Sequence, residues 1–145
     1  MKKRVQKFSD LPLHGPSGVV IEVAGTDTTS FDNYWVKFEA SGGGNVGVWK
    51  ECVAPGTRLG INAATMPHIL VRENGTFTFK PATWEDRKCG DLASVPDPSF
   101  VGQTIEDVFF HKNRLGFLTQ ENICMSASGQ FYNFYRSSVR PLYGD

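Results

Sequence analysis

Residues 96–135, PDPSFVGQTIEDVFFHKNRLGFLTQENICMSASGQFYNFY, leave this chain few ways to fold. Three short apolar runs, Asp107-Val-Phe-Phe, Leu115-Gly-Phe-Leu and Asn122-Ile-Cys-Met, follow one another with only a few turn-forming polar residues between them. Strands this short, joined by turns this short, pair only with their sequence neighbours, so the stretch predicts an antiparallel meander. Ser128-Gly129 then turns into Gln130-Phe-Tyr-Asn-Phe-Tyr. That run admits two readings: a fourth strand, or one turn of helix whose rings cap the meander.

The upstream sequence is also written in strands and turns. Val19-Val-Ile-Glu-Val is a β-branched run and predicts the first strand. After a polar loop from Gly25 to Asn33, residues 34–40 alternate, with Tyr34, Val36, Phe38 and Ala40 on one face and Lys37 and Glu39 on the other. Ser41-Gly-Gly-Gly-Asn closes a hairpin onto residues 46–53 and makes Trp49 the aromatic partner across it. Ala63 to Met66 fit one helical turn, capped by Asn62 and stopped by Pro67. Asn74-Gly75 between His68-Ile-Leu-Val-Arg-Glu and Thr76-Phe-Thr-Phe-Lys is a strong two-residue hairpin signal. It places Phe77 and Phe79 on one face. Residues 83–91 are mixed in character and fit an outer strand or a loop.

The fold class expected is mainly β with little helix: antiparallel hairpins form a small domain over about residues 18–90, and the meander follows. Leu92 to Ser99, with Pro96 and Pro98, is a semi-rigid connector. It divides the chain into a hairpin domain, 1–95, and a meander with an aromatic cap, 96–145. Eleven Phe among 145 residues, with 15 Gly and 8 Pro, suit such a chain better than long helices. The 15 basic and 15 acidic side chains cancel, leaving no long-range field to gather nucleic acid. No apolar run approaches the length that spans a bilayer, and the basic Met1-Lys-Lys-Arg is followed by no apolar signal core.

No group of side chains assembles into a reaction centre. Cys52, Cys89 and Cys124 lie far apart without metal or redox spacing, as reduced structural thiols do. His14, His68 and His111 stand at turns or strand ends, none in a metal-binding pattern with another ligand. Glu85-Asp86 and Glu106-Asp107 are adjacent carboxylates, which point to opposite faces of a strand unless the backbone bends there. Gly42-Gly43-Gly44 leads into a strand rather than a helix, so it is a hairpin loop and not a phosphate cradle. Trp49-Lys50, Phe79-Lys80 and Trp84 near Arg87 could stack bases or sugars, but core packing on strand faces explains most of them. The expectation is therefore a non-enzyme with no catalytic, cofactor-binding or metal-binding residues and no cofactor.

An ordered set of phrases carries a family resemblance. Val5-Gln-Lys-Phe-Ser-Asp-Leu-Pro, Ser30-Phe-Asp-Asn-Tyr-Trp-Val-Lys-Phe-Glu-Ala, Gly47-Val-Trp-Lys-Glu and Ala64-Thr-Met-Pro-His-Ile-Leu-Val-Arg open it. Gly75-Thr-Phe-Thr-Phe, Pro96-Asp-Pro-Ser-Phe-Val-Gly, Asn113-Arg-Leu-Gly-Phe-Leu and residues 126–134 continue it. Together they resemble the tail tubular protein B, or nozzle, family of T7-like podoviruses over nearly the whole chain. Family members are several times longer, so the chain resembles an internal fragment, excised or left in a degenerate prophage. The resemblance implies a virion tail protein assembled in the host cytoplasm. It also implies a hexameric nozzle tube that meets an adaptor protein and tail fibres and passes the genome without reading its sequence. It further implies that the meander is a propeller blade or part of one, within a larger domain. A carbohydrate-binding module using Trp49 or Trp84 on host glycans is the alternative.

Overall fold

A computed structural model describes residues 3–25, 32–42 and 44–140. Most of the expected polar loop (26–31), Gly43, the first two residues and the last five lie outside the described residues. The chain is mainly β, with antiparallel pairing throughout apart from one short parallel pair and an isolated parallel bridge. It divides into two compact units. The first is Met1–Leu59 with Arg87–Pro96 and Arg136–Asp145; the second is Gly60–Asp86 with Asp97–Tyr135.

In the first unit, β1 (Arg4–Val5), β2 (Val20–Val23), β3 (Tyr34–Ala40) and β4 (Gly47–Cys52) form one sheet in sequence order. β1 runs parallel to β2, and the other pairs are antiparallel. The alternation read in residues 34–40 is realised: Val36 and Phe38 are buried, while Lys37 is exposed. Trp49 lies directly opposite Phe38 in the β3–β4 register, with ring centroids 5.1 Å apart. Val5, Leu11, Ile21, Val23 and Val36 make the core beneath. β1 escapes a sequence reading because two residues show no period; its Val5 gains its place by packing on β2.

Two later segments complete this unit. Ala54 N–H donates to Gly90 O at 2.9 Å, beside a parallel bridge between Val53 and Gly90. Gly90 has φ +67°, and a Cβ there would strike Ser94, Val95 and Val139, so the position requires glycine on both conformational and steric grounds. Glu51 on β4 holds the last described residues: its carboxylate accepts from Val139 N at 2.7 Å and from Ser138 Oγ at 2.6 Å. The 83–91 stretch is loop with an isolated bridge, not an outer strand.

The second unit holds two separate sheets. β5 (His68–Glu73) and β6 (Thr76–Pro81) form the expected hairpin, and Asn74 (φ 50°) and Gly75 (φ 79°) supply the two positive φ angles that such a turn needs. Before it, a 3₁₀ turn at Ala63–Thr65 starts at Asn62, whose side chain accepts from Ala64 N at 3.1 Å. β7 (Ile105–His111), β8 (Arg114–Thr119) and β9 (Ile123–Met125) form the meander, as its spacing required. A bulge between Ile105 and Asp107 shifts its register.

Residues 130–135 form neither a fourth strand nor a helical turn. They make a tight bend held by Asn133, whose carbonyl accepts from Ala127 N at 2.8 Å and whose amide donates to Gln130 Oε1 at 2.7 Å. The bend turns Phe134 inward and buries Tyr135, whose hydroxyl donates to Asp97 at 2.9 Å.

The two units are interleaved in sequence, and the Asn74-Gly75 hairpin belongs with the meander rather than with the N-terminal strands. The reason is packing: Met66 and Trp84, which flank the hairpin, join Phe100 and Phe117 in one core.

Candidate functional site

The residues weighed for chemistry are dispersed. His14 pairs with Val46 in an isolated bridge of the first unit. His68 opens β5, where its Nδ1 lies 3.0 Å from Met66 O and its ring stacks on Phe79 at 5.1 Å. His111 ends β7 in an exposed position. Among the described residues, no three His, Cys, Asp or Glu side chains come close enough to hold a metal ion.

The cysteines are free thiols. Cys89 is fully buried and its Sγ donates to Arg136 O at 3.4 Å. Burial first, and then the nearby Glu51 carboxylate, push this thiol up to about 11, away from any nucleophilic role near neutral pH. Burial raises Cys52 as well. Cys124 lies 2.8 Å from Ser99 Oγ.

The carboxylate pairs do not converge either. The backbone does bend at Glu106, which sits in the β7 bulge, but the two side chains are engaged separately. Asp107 accepts from Val108 N at 2.8 Å, and Glu106 meets Gln120 at 3.5 Å. Glu85 and Asp86 are exposed in loop, and Asp86 lies against Gly60, where a Cβ would be 2.3 Å from its carboxylate oxygen. Gly42 (φ 64°) turns the β3–β4 connection and faces no cradle.

Of the aromatic and cationic neighbours, two of three are explained by packing. Trp49 is half-buried, with Nε1 donating to Pro12 O at 2.9 Å, while Lys50 pairs with Glu39 at 2.5 Å. Trp84 sits within a cluster of rings, 5.9 Å from Phe100, 6.1 Å from Phe117 and 5.6 Å from Tyr132. Arg87 is buried, and its guanidinium donates to the carbonyls of Val95, at 2.7 Å, and Arg58. Phe79-Lys80 departs from the expectation of a covered strand face. Phe79 is 71% exposed, Phe77 62% and Leu70, directly opposite Phe79, 63%. A two-stranded ribbon has two faces, and the core covers only the side carrying Ile69 and Val71.

A cleft of about 420 Å³ lies on that covered side. Pro67, Ile69, Ile105, Val108, Leu115 and Trp84 are among its apolar walls, and no charged residue lines it. The meander shares the same economy of cover. Phe117, Leu115 and Ile105 face the core, yet Val108 and Phe110 on the same side extend beyond it. On its other side lie Leu118, Ile123 and Met125, all exposed, with the Phe109 ring so close over Gly116 that a Cβ there would be 2.2 Å from it. A sheet apolar on both faces is chemically suited to being a middle layer. The arrangement offers apolar packing surface.

Comparison with known proteins agrees with that chemistry. The family model described as bacteriophage nozzle protein matches residues 1–145. The tail tubular protein gp12 of Escherichia phage T7 is 42% identical over 141 residues, which cover 97% of this chain and 17% of that protein. The chain thus spans about a sixth of the length of this curated relative. The alternative of a glycan-binding module finds no support: Trp49 packs half-buried against Phe38, and Trp84 sits in a cluster of rings. With the whole chain matched, it belongs to the bacteriophage nozzle protein family.

Proposed function

We propose that this chain is a structural piece of a short bacteriophage tail, forming part of a hexameric nozzle tube through which the genome leaves. The observation that carries the reading is the family match over all 145 residues. The molecule's surface chemistry supports it. The charge balance gives nothing that would hold passing DNA, and apolar β faces suit a role whose work is packing. In this role the chain performs no catalysis and needs no cofactor. It acts in the virion tail, after assembly in the host cytoplasm, alongside an adaptor protein and tail fibres. Among the described residues no helix is long and apolar enough to cross a membrane. The meander, apolar on both sides, belongs to a larger β domain in the intact protein, as one blade of a propeller-like array.

Immunogold labelling of intact virions with antibody raised against this chain tests the reading. Gold at the tail tip is the expected result; label on the capsid shell alone would overturn it.

A further inference from the structure

Asn74 is the one asparagine in the chain followed by a glycine; those at 33, 45, 62, 113, 122 and 133 precede Tyr, Val, Ala, Arg, Ile and Phe. The pairing that suits a turn also has a chemistry. The backbone nitrogen of the next residue attacks an asparagine side-chain amide, and a glycine puts no side chain in the way, which is one reason asparagine is thermolabile. Asn74 and Gly75 are both exposed, and nothing lies within 4 Å of where a Gly75 Cβ would stand. The hydrogen-bonded ladder of the hairpin ends at the Glu73–Thr76 pair, so the Gly75 nitrogen lies outside it.

The fold opposes the attack. With φ 50°, Asn74 is left-handed, and in that region the next nitrogen is turned away from the residue's own side chain. The ring therefore closes only when the turn opens. Opening is within reach, because β5 and β6 form a two-stranded ribbon of their own, with Leu70, Phe77 and Phe79 left uncovered.

We propose that Asn74 is a deamidation site gated by opening of the β5–β6 hairpin. The Gly75 nitrogen bonds to Asn74 Cγ and gives its proton to solvent, while the side-chain nitrogen leaves as ammonia. The succinimide so formed takes up one water and opens to aspartate or isoaspartate, with no change of oxidation state. Isoaspartate adds a methylene to the main chain of a two-residue loop and replaces a neutral amide by a carboxylate. So short a loop has no room for the insertion, so the converted hairpin pairs less well. Each productive opening thus leaves a lasting trace. This chemistry is independent of the tail-tube reading.

Peptide mass mapping of the purified protein, aged in mildly alkaline buffer, tests the proposal. Asn74 should gain the mass of an amide-to-acid exchange while the other asparagines stay unchanged. Conversion should run at least about tenfold faster in denaturing urea than in buffer, the factor that accompanies even a marginal opening free energy. Val71→Gly weakens β5 outside the turn and should speed conversion in buffer. Asn74→Gln should remove it, because the longer side chain closes a larger ring far more slowly. No conversion in buffer over a period in which the urea-unfolded protein converts fully would overturn the site; equal rates in buffer and urea would overturn the gate.

Discussion

Phe100 shows how a single side chain can organise a unit and still be hard to see in sequence. It is 1% exposed, its ring lies 5.0 Å from Phe117 and 4.9 Å from Phe134, and it links the meander to Trp84. In the sequence it follows Pro96-Asp-Pro-Ser, where prolines announce a connector and hide an anchor. Phe100→Ala should cost about 3–5 kcal/mol in urea unfolding, the range for emptying a ring-sized site; a loss below 1 kcal/mol would mean the cluster closes over the gap. Cys89 gives a pH-dependent test. Its folded thiol holds its proton to about 11, whereas an unfolded thiol loses it near 8.5. The unfolded state therefore binds fewer protons above that pH, and the stability this group contributes is complete below about 8.5 and lost as pH rises toward 11. Denaturation midpoints measured across that window should fall, and Cys89→Ser should flatten part of the fall.

At the scale of elements, local signals carried most of what the sequence made legible. The Asn74-Gly75 turn, the 34–40 alternation, the Asn62 cap and the three meander strands all depend on neighbours within a few residues, and all form as read. Gly75→Ala places a Cβ at φ 79° and should cost about 1 kcal/mol or somewhat more. Amide exchange in β5 and β6 should rise while the first unit's sheet stays protected. What the strands could not reveal is which of two apolar faces is covered. Alternation puts Phe77 and Phe79 on one side of β6, but cover depends on long-range packing, and here the core takes the opposite side. The same limit hid β1, whose two residues gain their place only against β2, and the bend at residues 130–135, which depends on Asn133 side-chain bonding.

At the scale of the whole molecule, the interleaving of the two units has a physical consequence. The first unit is finished only when Arg87–Pro96 and Arg136–Asp145 return to it, so its folding needs contacts far apart in sequence. Glu51, which receives the last of these segments through Ser138 and Val139, should matter more than a surface carboxylate ordinarily does. Glu51→Ala should lower stability by about 1.5–3 kcal/mol, the range for hydrogen bonds to a charged group, and should raise amide exchange at Val139 first. Membership of the nozzle protein family was legible only through the ordered family phrases.

We propose that this β-rich chain serves a tail tube by packing. Electron microscopy of the purified intact nozzle protein that contains this segment tests it most directly. Closed six-fold rings or short tubes with the segment inside the ring wall are expected; an intact protein that remains strictly monomeric would contradict the proposed role.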